Sequence, residues 1–265
     1  MKGINYRSYR QVEKLINFND TSLRNYCEDK LKSCDEIIKF IKKKITKKNK
    51  NWDGKICEIG SGNGKLLYRL ELDRLLSKGI GFEISRSRYQ FSKEFSKLID
   101  SKKIKIFNKD FLKSKLKKNT FDLIIGVDII FNLISANSNS QQLQFLNLCR
   151  KYLKKNGVLL LEVMSYKNEI KLLKKKNSFT RTFYFRKSDP YKNVKAKYRL
   201  IDQNIYIKKI FSHRNGSNSF FSNLVKPIDY NFWSKLQEWN IEISKEWSSI
   251  IKSKENEYMV ILRKK

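Results

Sequence analysis

The residues best suited to chemistry begin at Lys55, in the stretch KICEIGSGNGKLL. A strand-like apolar run, Lys55–Ile59, carries Glu58 and breaks into Gly60-Ser61-Gly62-Asn63-Gly64 before a helical pattern starts. Glycine is what a backbone needs where it must turn sharply from strand to helix and let a ligand come close. The spacing G-x-G-x-G puts Lys65 where a dinucleotide loop would want its third glycine. No G-K-[ST] follows a four-residue gap, which excludes a Walker loop. Glu58, just ahead of the first glycine, would repel the phosphates of either cofactor and suits a cationic amino-acid tail.

Three more acidic residues fall at comparable places. Glu83 ends the run Gly81-Phe82-Glu83-Ile84, and a carboxylate at such a tip can accept from both hydroxyls of a ribose. Asp110-Phe111 follows a third run and sets an acceptor and a ring where an adenine would lie. Asp128 closes a fourth, beside the crevice at the carboxyl ends where open α/β sheets bind ligands. Alone, Glu83 or Asp110 would read as a helix cap or a surface charge. Four acids ending four successive strands argue for one shared site.

The elements that must position these residues follow from the rhythm of the chain. Lys55–Ile59, Ile80–Ile84, Ile104–Phe107, Phe121–Val127 and Val158–Val163 read as strands, with Lys65–Ser77, Arg86–Leu98 and Gln141–Tyr152 as helices between them. Strand alternating with helix specifies a doubly wound, mainly parallel sheet. Asn156-Gly157 is expected to end the helix before the fifth strand. Upstream, Leu23, Cys27, Leu31, Cys34, Ile37, Ile38, Ile41 and Ile45 predict one helix capped by Thr21. Downstream, Thr180–Phe185, Lys195–Ile201 and Asn204–His213 predict an antiparallel β ribbon. A short helix, Asn231–Trp239, and strands Ile241–Ser248 and Glu257–Leu262 complete a seven-stranded α/β fold. The expected domains are an N-terminal helical cap segment, 1–51, and a ligand-binding domain, 52–265, with an insertion at about 165–228.

Residues Trp52 to Glu162 resemble the core of the Rossmann-like S-adenosylmethionine methyltransferases. Glu58-Ile59-Gly60-Ser61-Gly62-Asn63-Gly64 is similar to that family's first motif, Glu83 to its acidic ribose-binding position, and Asn108-Lys109-Asp110-Phe111 to its adenine-contact segment. Phe121–Ile125 with Val127-Asp128 resembles the fourth motif, and Leu153–Leu159 the L-x-x-G-G stretch, with Asn156 replacing the first glycine. The resemblance implies S-adenosylmethionine as cofactor, held by Glu58, Gly60, Ser61, Gly62, Gly64, Glu83, Asp110, Phe111 and Asp128. It implies little about the acceptor, because one fold serves many substrates.

Composition narrows the partners. Hydrophobic residues make up 40% of the chain, enough for a real core. No apolar run reaches the roughly 18 residues of a membrane span, and the N-terminus lacks the apolar stretch of a signal peptide, so a cytoplasmic protein is expected. Cys27, Cys34, Cys57 and Cys149 are scattered, which points to reduced core thiols and to neither a disulfide nor a metal site. Lys+Arg 58 against Asp+Glu 26 gives a net charge of +32, which would attract any polyanion. The excess is mostly lysine, runs the whole length, and comes with abundant Ile and Asn, as an AT-rich genome would impose. The runs at 42–50 and 171–177 have no aromatics interleaved.

Two acceptor classes are left. The ribbon, rich in groups such as Tyr184, Arg186, Tyr191 and Tyr206, resembles in layout the insertions covering acceptors in sugar and natural-product methyltransferases, and favours a small molecule. The charge favours RNA or DNA. Against it, Asp128-Ile129-Ile130-Phe131 stands where enzymes of exocyclic base amines carry N/D-P-P-Y/F. An oxygen acceptor needs a general base. His213, the only histidine, Asp128 and Tyr9 are the candidates, with Tyr9 in a segment expected to fold over the cofactor. His213 reads as well as a solvent-facing turn residue.

Overall fold

Near-continuous apolar runs, rather than strict alternation, mark strands covered on both faces. That is the character of the central strands here. In the computed structural model, β1 (Lys55–Ile59) buries Ile56, Cys57, Glu58 and Ile59, and β4 (Phe121–Val127) buries every residue from Phe121 to Gly126. The structure describes residues 20–127, 129, 140–164, 180–184, 193–201, 204–212, 218–219, 224–225, 236–244, 247 and 257–265.

The helices and strands come in the expected alternation. After β1 follow α3 (Lys65–Leu72), β2 (Lys78–Phe82), α4 (Arg86–Ile99), β3 (Ile104–Phe107), β4, α5 (Ser140–Tyr152) and β5 (Leu153–Met164). Ahead of them lie α1 (Asp20–Lys32) and α2 (Asp35–Lys44). The seven-stranded sheet has the order β3-β2-β1-β4-β5-β12-β11, where β11 is Trp239–Ser244 and β12 is Glu257–Lys264. The pairs β1–β2, β2–β3 and β1–β4 are parallel. The strand order therefore reverses between β1 and β4, which is where such sheets open a ligand crevice at their carboxyl ends.

Two compact units divide the chain: one of residues 4–126, 149–160 and 263–265, the other of 1–3, 127–148 and 161–262. The first contains β1 to β3, most of β4 and helices α1 to α4. Its core is knitted by α1, whose Leu23 and Cys27 pack with Tyr68, Phe91 and Phe95. Tyr26 meets Phe91 edge-on at 5.4 Å, and the Arg263 Nη2 donates to the Lys44 carbonyl at 2.9 Å. The 20–45 segment thus shares a core with the sheet domain. The second unit carries a separate five-stranded antiparallel sheet, β6 (Thr180–Tyr184), β7 (Asn193–Ile201), β8 (Asn204–Ser212), β9 (Asn218–Ser219) and β10 (Leu224–Val225). β7 pairs with β6 on one side and β8 on the other, with a register shift at Lys197/Tyr198. This is the expected ribbon.

The structure corrects several boundaries. The single helix over 21–45 is two, because Ser33 Oγ donates to the Lys30 carbonyl at 2.7 Å and the Cys34 amide bonds back only to Leu31, tightening the last turn of α1 until it ends. Helix α3 stops at Leu72, with Arg74 left-handed at φ +57, instead of reaching Ser77. β2 begins two residues earlier than expected, so Glu83 is the first residue beyond it. Helix α5 ends at Tyr152, and Asn156 is not its terminus. Asn156 makes a left-handed bend at φ +63 within β5, bringing Gly157 against the backbone of Lys154. Trp239 opens β11 rather than closing a helix. All four cysteines are buried and free.

Candidate functional site

The glycine loop has the conformation its composition demands. Gly60, Gly62 and Gly64 have φ of +71°, +57° and +82°, the left-handed region in which other side chains are strained. At Gly64 there is a second reason: a Cβ would lie 2.6 Å from both Ile106 Cδ1 and a Tyr68 ring carbon. At Gly62 a Cβ would meet nothing within 4 Å, so this backbone borders open space.

Backbone hydrogen bonds tie that loop to the tips of the next two strands. The Phe82 carbonyl accepts from Gly60 N at 2.8 Å and Ser61 N at 3.1 Å, and Glu83 N donates to the Phe107 carbonyl at 3.0 Å. The Asn108 side-chain amide donates to the Glu83 carbonyl at 2.9 Å. The Glu83 carboxylate, 4% exposed, accepts Gly62 N through Oε2 and Ser85 N through Oε1, each at 2.7 Å. It therefore braces the loop against the start of α4, and each oxygen keeps a second lone pair for a hydroxyl donor. Asp110 caps the 3-10 turn Phe111–Lys113 by accepting Leu112 N at 3.0 Å.

Glu58 is the electrostatic centre of the site. Its side chain is buried and its Oε2 has no hydrogen-bond partner. Desolvation pushes its pKa up from 4.5 to about 8; the Lys65 charge opposes this, the Glu83 charge adds to it, and a hydrogen bond from the Leu67 backbone opposes it. A buried carboxylate with an orphaned oxygen beside a second carboxylate favours a ligand that is cationic where it touches them. Ser61 Oγ is likewise buried without a partner.

The structure brings Glu58, Gly60, Ser61, Gly62, Gly64, Glu83 and Asp110 together at the carboxyl ends of β1, β2 and β3 within one unit. Phe111 departs from expectation. Its ring is 2% exposed and packs edge-on against Phe82 at 5.5 Å and Tyr152 at 6.0 Å, so it is a core side chain. Asp128, His213 and Tyr9 lie outside the described residues. Residue-by-residue reading missed three participants: Ser85, whose amide holds Glu83; Asn108, whose amide anchors the Glu83 backbone; and Lys65, whose charge opposes protonation of Glu58. Lys65 was visible as the one cation adjoining the loop. Ser85 and Asn108 act through backbone contacts that carry no distinctive spacing.

The comparisons with known proteins bear on this arrangement. A family model described as a methyltransferase domain matches residues 50–255. The chain belongs to this methyltransferase family. As a member it is an S-adenosylmethionine-dependent methyltransferase of the doubly wound fold. A structure titled as an S-adenosylmethionine-dependent methyltransferase from Clostridium acetobutylicum is 14% identical, with a TM-score of 0.56 over 86% of this chain and 89% of that one. A Pyrococcus horikoshii protein is 16% identical, with a TM-score of 0.56 over 90% and 91%. At such identities the likeness is one of fold. No curated protein matches the sequence.

The residues fit the cofactor on three independent counts: the orphaned Glu58 oxygen, the open space at Gly62, and the Glu83 lone pairs. Among the described residues no group of His, Cys, Asp and Glu is arranged to hold a metal, and no helix is long and apolar enough to cross a membrane.

Proposed function

We propose that this methyltransferase acts on a small-molecule acceptor, with a sugar or related metabolite as the class to try first. The observation that carries the reading is the five-stranded antiparallel sheet inserted between β5 and β11, in a chain without the N/D-P-P-Y/F sequence of base-amine methylation. An insertion of that size adds a sheet of its own to a chain whose glycine loop, Glu58 and Glu83 lie in the other unit. Its sequence offers Tyr184, Tyr198, Tyr206, Arg181 and Arg199, groups able to stack on and hydrogen-bond to a polar acceptor.

The cofactor supplies an electrophilic methyl on a sulfonium. The chain's own task is to bind, orient and exclude water, since in-line transfer is governed by positioning. We assign Glu58 to the amino-acid tail, Glu83 to the ribose hydroxyls, and the loop backbone from Gly60 to Gly64 to close approach. Asp110 belongs to the adenine end, with the Phe111 ring as the core support beneath its turn. For an oxygen acceptor, His213, Asp128 and Tyr9 are the candidates to receive the proton.

Every residue assigned here to the cofactor, Asp128 aside, lies in one unit and the inserted sheet in the other. Replacing Thr180–Asn215 by a short Gly/Ser linker is therefore expected to leave S-adenosylhomocysteine affinity within about threefold while turnover on the true acceptor disappears. Loss of cofactor binding and of folding together would make the sheet structural and remove this support.

A further inference from the structure

Opposite the crevice, the sheet of the first unit begins in lysine. Lys55 and Lys78 open β1 and β2 and are register partners on adjacent strands. Lys102 and Lys103 precede β3, Lys117 and Lys118 precede β4, and Lys155 stands in the bend of β5. Lys102, Lys103, Lys117, Lys118 and Lys155 are all exposed, and none has an ion-pair partner among the described residues.

The acids of this edge are already engaged. Asp53 pairs with Lys55 at 2.7 Å and Lys154 at 3.2 Å, and the buried Asp122 takes Lys154 at 2.7 Å. Asp73 is shared by Lys42 and Arg69, each at 3.6 Å, and Glu71 accepts the Ser101 hydroxyl at 2.5 Å, so Glu71 and Asp100 are the two carboxylates here with no ion-pair partner among the described residues. At the far end, Lys264 Nζ donates to the Asn119 side chain and the Leu153 carbonyl, each at 2.7 Å, so its ammonium has neutral acceptors. Burial lowers its pKa, and so does the like charge of Arg150. Positive charge here is crowded enough to repel itself, and an external anion would relieve the repulsion.

Shape narrows the anion. Neighbouring strands lie about 4.8 Å apart, so the line β3-β2-β1-β4-β5-β12 spreads these cations over about 24 Å. One strand of a nucleic-acid duplex presents about seven phosphates over that length, at about 3.4 Å of rise each. A lipid surface would call for apolar anchors among the lysines. The exposed large apolar side chains among the described residues are Leu72, Leu98 and Leu143; Leu72 and Leu98 lie at the ends of α3 and α4 nearest this edge, but they are single leucines on separate helices and not the broad apolar face that a lipid surface calls for.

We propose that the amino-terminal edge of the β3-to-β12 sheet docks the phosphodiester backbone of a nucleic acid, independently of the acceptor used at the opposite crevice. Contact is sequence-independent, because among the described residues no base-reading element accompanies the charges.

The test is a salt series of fluorescence-anisotropy titrations on an RNA duplex of about 20 base pairs, with the matched DNA alongside. Two variants of the full chain are compared with wild type: K102Q/K103Q/K117Q/K118Q/K155Q on the edge, and K32Q/K39Q/K93Q/K97Q/K105Q as a charge-matched control. Each phosphate contact contributes about 0.9 to the slope of log K against log salt. The edge variant is expected to lose about 3 to 4.5 from the slope and the control less than about 1. S-adenosylhomocysteine binding by both variants reports folding; should the edge variant misfold, the pair K117Q/K118Q is expected to lose about 2. Equal losses in edge and control variants would overturn the proposal by making the charge diffuse. So would wild-type binding to phosphatidylserine vesicles without binding to either duplex.

Discussion

Glu58→Gln tests the charge logic of the cofactor site through one functional group. The wild-type carboxyl titrates at about 8 without cofactor because burial disfavours its anion. Pairing it with the ammonium of an amino-acid tail requires an ionised Glu58 and a protonated amine, itself titrating near 7.7–8.0. Affinity therefore passes through a maximum near pH 8. From pH 8 to pH 6 the ionised fraction of Glu58 falls from about one half to about one hundredth, while the ammonium fraction rises about 2.5-fold. The product is a loss of about 20-fold. Calorimetric titration of S-adenosylmethionine across that range should show the loss in wild type and none in the variant, whose affinity at pH 8 drops towards the wild-type value at pH 6. In buffers of different ionisation enthalpy at pH 7, wild type should release most of one proton on binding, and the variant should not. Stability of the cofactor-free protein carries the opposite sign. Between pH 4.5 and about 8 the folded state holds a proton that the unfolded chain has lost, so stability falls as pH rises through that window. The Gln variant should lack this fall in urea unfolding. A flat wild-type binding profile, or equal proton release in both proteins, would refute the assignment of Glu58 to the tail.

The other predictions concern neighbouring groups. Glu83→Ala removes the partner of one buried backbone amide, Ser85, and one part-buried amide, Gly62, so it should cost about 1–3 kcal/mol in unfolding for the buried donor and also weaken cofactor binding at least tenfold; unchanged affinity by calorimetry would free Glu83 from the ribose. Gly62→Val, strained at φ +57 and projecting into the open space, should abolish binding while the melting temperature falls only a few degrees. Asp122→Ala strands Lys55 N and leaves Lys154 only its longer pairing with Asp53 at the opposite edge, and should lower stability by about 1–3 kcal/mol in urea with cofactor affinity unchanged. Labelled methyl donor offered with cellular RNA, DNA and a metabolite extract at physiological salt should label the low-mass fraction; label in one discrete RNA would overturn the small-acceptor reading.

What the sequence made legible follows from what buries what. β1, β3 and β4 were readable to the residue because each is a short, mainly apolar run bounded by polar loops. β2 slipped by two because Lys78-Gly79 carries no apolar signal; its place is set by pairing Lys55↔Lys78 and Gly79↔Ile104. The break at Ser33-Cys34 was hidden because Cys34 continues the helical period while remaining buried. Asp110 illustrates how two readings can both hold, since its carboxylate is a cap and yet stands at the tip where a ligand acceptor is wanted. Phe111 misled because sequence cannot say on which side of a one-turn helix a ring falls, and here Phe82 and Tyr152 offered it a core.

The two ends of this sheet carry opposite charge for a common reason. Helices α3 and α4 both begin beside the crevice and end towards the lysine-bearing edge, so their positive ends face Glu58 and Glu83 and their negative ends face the cations. Each such interaction is worth about 0.3–1 kcal/mol at the surface, too little to ionise Glu58 against full burial, but enough to ease the crowding of exposed lysines. Glu58 thus stays poised for a cation that can enter its low-dielectric site and pair directly. The lysines stay hydrated and ready to exchange counterions for phosphates. The same parallel topology therefore suits a buried, stoichiometric cation at one end and a diffuse, salt-sensitive polyanion at the other.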